Sequence, residues 1–130
     1  MSRFVVADTS VFIDYLRGNS PDDSLAVLVL ANRVLLSPIV RLELLAGVRK
    51  AEAPSLERLC NALRPIESFV TPPECERLLR KAKGSGLLGG IPDLLIIADT
   101  LRHQAALFTV DGAMKRLAKR LGAKLIETDS

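Results

Sequence analysis

Four carboxylates in this 130-residue chain stand where one apolar run gives way to the next. Asp8 follows Phe4-Val-Val-Ala7 and precedes Thr9, Ser10 and the apolar set Val11, Phe12, Ile13 and Leu16. Asp111 repeats the arrangement after Ala105-Ala-Leu-Phe-Thr-Val110. Glu43 lies between Leu42 and Leu44, at the edge of an apolar stripe, and Asp93 opens the run Leu94-Leu-Ile-Ile-Ala98. In parallel α/β sheets the crevice beyond the carboxyl ends of the strands is where ligands bind. Carboxylates gathered there repel one another, by about 4 kcal/mol for two charges about 4 Å apart at an effective dielectric near 20. Protonation or a cation must relieve that repulsion. An all-oxygen set suits Mg²⁺ or Mn²⁺, and such an ion can activate water and stabilise a phosphodiester transition state.

Each acid also has a plainer reading. Glu43 could be solvated, or paired with Arg41 or Arg49. Asp93 falls in the first turn of a helix, where an aspartate caps and complements the dipole. Asp99, six residues on, is turned about 600° from Asp93 and does not share its face, so it is a secondary candidate. His103 near the end of that helix is expected to make a local contact. The glycine-rich stretch from Lys83 to Gly90 lacks the GxxxxGK[ST] order and follows no clear strand, so it is not a phosphate-binding P-loop. Arg77, Arg80, Lys81 and Lys83 read as a solvated helix face.

The elements that must position these residues alternate between strand and helix. Phe4–Val6 reads as a buried strand, followed by a helix over about Ser10–Arg17 and a break at Gly18-Asn-Ser-Pro21. A second helix covers roughly Asp23–Asn32, with Ser20 or Asp22 as its cap. Val34–Leu36 is a strand. Ser37 then caps a helix that has Pro38 at its first position and runs through Ala46 to a break at Gly47. Pro54–Leu63 is helical, Pro65–Phe69 a short extended piece, and Thr71-Pro-Pro-Glu74 another helix start. Pro92 begins a helix that is apolar all round and therefore buried. Ala105–Val110 is a strand. The next helix carries Met114, Leu117, Ala118 and Leu121 on one face and ends at Gly122, before a last strand at Lys124–Ile126. This alternation implies a mostly parallel sheet covered on both faces, in one domain spanning residues 1–130 with no internal repeat or linker. Right-handed crossovers bring Asp8 and Asp111 to one edge.

Composition sets limits. The chain is 48% hydrophobic and only 4% aromatic, so its core is mainly Leu, Val, Ile and Ala. A net charge of +3 and a pI near 9.1 permit an anionic partner without requiring one. Cys60, Cys75 and the single His103 are too few and wrongly spaced for a zinc site. Two isolated cysteines fit a reducing compartment. No signal peptide or membrane-length apolar stretch is seen, so the expectation is a cytoplasmic protein.

Together, Asp8-Thr-Ser-Val-Phe-Ile-Asp14, Glu43-Leu-Leu-Ala-Gly47, Ile91-Pro-Asp-Leu-Leu-Ile-Ile-Ala98 and Thr109-Val-Asp111 resemble a PIN domain, and more narrowly a VapC-type toxin of a toxin–antitoxin pair. The resemblance covers nearly the whole chain. It implies a PIN-like three-layer α/β/α fold and RNA hydrolysis with Mg²⁺ or Mn²⁺ held by Asp8, Glu43, Asp93 and Asp111. Thr9 or Ser10, and Thr109, would orient that cluster. It further implies a homodimer and a small antitoxin that blocks the site. One departure is Gly112-Ala113-Met114, where the family often has a further polar residue and then an aromatic. Met114 can pack in the aromatic's place, while the missing polar group would weaken a second metal site. Substrate choice would fall to basic side chains such as Arg41, Arg49, Arg116 or Lys119. Other classes fit less well. A receiver domain wants paired acids after its first strand, and here Ala7 precedes Asp8. A haloacid-dehalogenase-like phosphatase wants Asp-x-Asp, and Ser10 takes the second place. A catalytically silent PIN-like module that binds RNA or protein is the alternative of a different kind.

Overall fold

The computed structural model describes residues 3–20 and 22–126; the sequence readings that involve Met1, Ser2 and Pro21 lie outside them. The chain alternates β1 (Val5–Ala7), α1 (Thr9–Leu16), α2 (Ser24–Leu30), β2 (Val34–Leu36), α3 (Pro38–Gly47), α4 (Ala53–Asn61), β3 (Arg64–Pro65), α5 (Pro72–Ser85), α6 (Ile91–Arg102), β4 (Ala106–Phe108), α7 (Gly112–Leu121) and β5 (Lys124–Leu125). The five strands form one parallel sheet in the order β3-β2-β1-β4-β5. Every residue of β1, β2 and β4 is buried, as expected of strands covered on both faces. Helices supply those covers in the expected three-layer α/β/α arrangement. Helix α6 lies against β1 and β4 and packs on α3, α5 and α7, while α1 packs on α3.

Register explains why β1 organises the rest. Val6 stands opposite Leu35 of β2 on one side and Leu107 of β4 on the other. The ladder continues one step past β1, where the Asp8 N–H donates to the carbonyl of Phe108, the last residue of β4, at 3.0 Å. The carboxyl ends of the two central strands are thereby level.

The turns out of four helices share one construction. After α2, α6 and α7, a left-handed residue (Asn32, Gln104 and Gly122) is followed by an N–H that reaches back five residues, from Arg33 to Leu28, Ala105 to Thr100 and Ala123 to Ala118. Gly18 and Asn19 close α1 in the same way, with Asn19 N–H on the Asp14 carbonyl. These Schellman-type ends satisfy the last helical carbonyls. After α2, α6 and α7 they deliver the chain into the next strand two residues after the left-handed residue. Asn32 and Gln104 hold a left-handed conformation that costs a side chain more than it costs glycine.

Several boundaries differ from the sequence reading. Helix α5 continues through Gly84 to Ser85, where the sequence places a loop, and the left-handed Gly86 ends it. One interior glycine costs only about 1 kcal/mol, which the packing of α5 on α6 and α7 offsets. Ser20 does not cap α2; Asp22 Oδ1 instead accepts from the Ser24 N–H at 2.9 Å. A short 3₁₀ turn, Lys50–Glu52, precedes α4, which begins at Ala53 and ends at Asn61. Of the stretch Pro65–Phe69 only Pro65 pairs in the sheet, with Arg64 before it.

The core is aliphatic, with Val6, Phe12, Val40, Leu44, Ile97 and Leu107 fully enclosed. Leu107→Ala should therefore cost about 2–5 kcal/mol in denaturant unfolding. Leu30, 87% exposed, should tolerate Ala within about 0.5 kcal/mol.

Candidate functional site

The edge where β1 and β4 end is built from short local signals. Asp8 leaves β1 in extended conformation and caps α1, its Oδ1 accepting from the Val11 N–H at 3.3 Å. The same oxygen takes the Ser10 hydroxyl at 2.6 Å. Asp8 Oδ2 takes the Thr109 hydroxyl, which spans from the end of β4. Thr109 works in both directions, because its Oγ1 also accepts the Asp111 N–H at 3.1 Å. Asp111 then caps α7, with Oδ1 accepting from the Ala113 N–H at 2.9 Å. Two strand-to-helix turns are therefore tied to each other by one threonine.

Glu43 comes from the middle of α3 and Asp93 from the first turn of α6. Glu43 is neither free in solvent nor paired with Arg41 or Arg49; Thr9 donates its hydroxyl to Glu43 Oε1 at 2.6 Å. Thr9 and Ser10 thus both orient acids, one each. Asp93 does not cap α6, whose capping position is Gly90 with no side-chain hydrogen bond. It does sit half-buried in the first turn, where its charge complements the helix dipole.

Electrostatics shows the convergence. Burial pushes the Asp93 carboxyl above the ordinary aspartate value, and the charges of Glu43, Asp111 and Asp8 push it further. Burial likewise raises Asp8; the bonds from Ser10, Thr109 and Val11 pull it back, and the charge of Asp111 adds to the rise. Asp93 thus feels the other three acids and Asp8 feels Asp111, and among the described residues none of the four forms an ion pair with Lys, Arg or His. Asp99 stands apart, bound to Ser37. His103 makes the expected local contact, Nδ1 to the Asp99 carbonyl at 2.9 Å.

Which group could occupy this edge follows from its donors. The carboxylates and hydroxyls fit a hard divalent cation and not a soft one. Among the described residues no three acidic, His or Cys side chains already enclose one point. Mg²⁺ keeps several waters and is usually held by one or two carboxylates, so an open set of this kind fits it.

The PIN domain family model matches residues 5–128, and the chain belongs to that family. Solved structures with the same fold include VapBC2 from Rickettsia felis bound to a DNA fragment from their promoter. It has a TM-score of 0.75 at 21% identity over 97% of this chain and 99% of that one. VapBC-1 from nontypeable Haemophilus influenzae gives 0.73 at 17% identity over 95% and 97%. FitAcB from Neisseria gonorrhoeae gives 0.66 at 20% identity over 95% and 97%. No curated protein matches the chain. PIN domains are generally nucleases, which makes this a hydrolase fold in the broad sense.

The repulsion can be measured without any substrate. Asp93→Asn should stabilise the metal-free protein at pH 7 by roughly 0.5–2 kcal/mol, as relief of active-site strain commonly does. The folded-state pKa lies above the unfolded one, so the destabilisation is greatest above the folded-state pKa. It fades as pH falls toward the ordinary aspartate value. Thermal unfolding at pH 7 and pH 4 should show the gap narrowing.

Proposed function

We propose that this PIN domain is a Mg²⁺- or Mn²⁺-dependent endoribonuclease and the toxin of a toxin–antitoxin pair. The observation that carries the reading is that Asp93 lies within the electrostatic reach of Glu43, Asp111 and Asp8, while among the described residues none of the four has an ion-pair partner. These four would hold the ion. When bound, it supplies a Lewis acid and lowers the pKa of water for attack on a phosphodiester.

The chain's own part is to keep the oxygens in place. Ser10 and Thr109 fix both oxygens of Asp8, Thr9 fixes one of Glu43, and the α7 turn fixes one of Asp111. Arg116, one of the four basic candidates for substrate contact, is exposed on α7 and lies near Gly112, next to Asp111 in the chain.

A small antitoxin and a second copy of the chain are the partners in this reading. Leu42 and Leu45 are 63% and 52% exposed on α3, beside a groove lined by Arg41, Val48, Leu56 and Cys60. Exposed apolar residues at a groove suit a helix-in-groove partner. The likeness to VapBC2 and VapBC-1 agrees with the resemblance to VapC-type toxins. No helix among the described residues is long and apolar enough to cross a membrane, which accords with a cytoplasmic place of action. The rival reading, a silent module that only binds RNA or protein, draws on the absence of a closed ligand set among the described residues.

Purified protein incubated with structured and single-stranded RNAs should cut in Mg²⁺ or Mn²⁺ and stop in EDTA. Asp93→Asn, purified separately, should lose about 100-fold or more of the rate. Equal cutting by both proteins would mark a contaminant, and an absence of metal binding would favour the silent module.

A further inference from the structure

Asp99 is a carboxyl group in the buried stretch of α6, after Leu94, Ile96, Ile97 and Ala98, and it is 4% exposed. Ser37, fully buried, donates its hydroxyl to Asp99 Oδ2 at 2.7 Å. The same Ser37 Oγ accepts the Ile39 N–H at 3.2 Å and so caps α3. With its proton committed to Asp99, the hydroxyl presents only lone pairs to Ile39, and the two bonds polarise each other. Among the described residues Ser37 is the only hydrogen-bond donor to the Asp99 side chain. A buried carboxyl with one neutral donor is a poor source of stability, and well-packed apolar residues usually serve as well or better. Burial accordingly raises its pKa, with the Ser37 bond and nearby His103 opposing.

Placement gives this pair a purpose. Ser37 lies six residues before Glu43 on the chain, and Asp99 lies six residues after Asp93. Six residues are about 9 Å of helix. Helices α3 and α6 pack on each other, so the pairs Ser37–Asp99 and Glu43–Asp93 are opposite ends of one antiparallel crossing. At one end two like charges push apart, Glu43 being the largest charged influence on Asp93. At the other a short hydrogen bond holds the helices in register. We infer that Asp99 is a positioning residue: through Ser37 it fixes the separation of Glu43 from Asp93, and so the affinity of the site for a divalent ion. The inference rests on the metal-dependent reading above.

Calorimetric titration of the purified full chain with Mn²⁺ alone, with thermal unfolding alongside, tests it. Asp99→Val should be at least as stable as wild type yet bind Mn²⁺ about fivefold more weakly. Asp99→Asn keeps an acceptor for Ser37 and should stay within about twofold of wild type. Ser37→Ala should weaken binding as Asp99→Val does, and the double variant should be no weaker than either alone. If Asp99→Val fails to fold, Ser37→Ala and Asp99→Asn still decide the matter. Wild-type affinity in Asp99→Val or Ser37→Ala, additive losses, or an Asn variant as weak as Val would each overturn the positioning role alone. A wild type that binds no Mn²⁺ would overturn the metal-dependent reading and the positioning role with it.

Discussion

Like charges held together in a half-buried cleft need partners or a counter-ion, and most of the local structure at this sheet edge answers that need. Hydroxyls and backbone N–H groups satisfy Asp8 on both oxygens and leave Glu43 and Asp111 each with one oxygen engaged. Bonds to neutral donors stabilise a carboxylate without cancelling its charge. The edge therefore keeps its negative field while each acid is held in place. An arginine at any of these positions would have removed the repulsion and with it the attraction for a cation. The fold spends stability here in return for an electrostatic sink, as sites commonly do.

Much of this was legible in the chain, for identifiable reasons. β1, β2 and β4 are short, continuous apolar runs, which parallel strands buried on both faces must be. Ser37-Pro38 and Thr71-Pro72 announce their helices by capping chemistry that needs no tertiary context. Asp8 and Asp111 were readable because each ends a short β-favouring apolar run and opens a helix. Glu43 and Asp93 were ambiguous because a helix pattern shows which face a residue is on and not what faces it. Only the neighbouring helix reveals that Thr9 meets Glu43 and that nothing caps through Asp93.

What stayed hidden was long-range or conformational. The run of α5 through Gly84 is set by packing on α6 and α7, which outweighs glycine's weak helix preference. The Ser37–Asp99 bond joins residues 62 apart, and no local pattern marks it. Asp99 could have been noticed as a carboxyl directly after the apolar run Leu94–Ala98. The sequence supported its separation from Asp93 through helical rotation, and the structure adds that it faces another helix instead of water.

The strand order has a consequence in time. The central strand β1 comes near the chain's start, yet one of its two neighbours, β4, lies about a hundred residues later. Closing so long a span is slow relative to local pairing, since loop entropy must be overcome before the ladder forms. A chain emerging from the ribosome can pair β1 with β2 early, while the other flank of β1 waits for the intervening helices and β4. Thr109 and Asp111 arrive with that last flank, and they complete the carboxylate set. The topology thus works as an interlock: the fourth acid, Asp111, joins the other three only after β4 has been made.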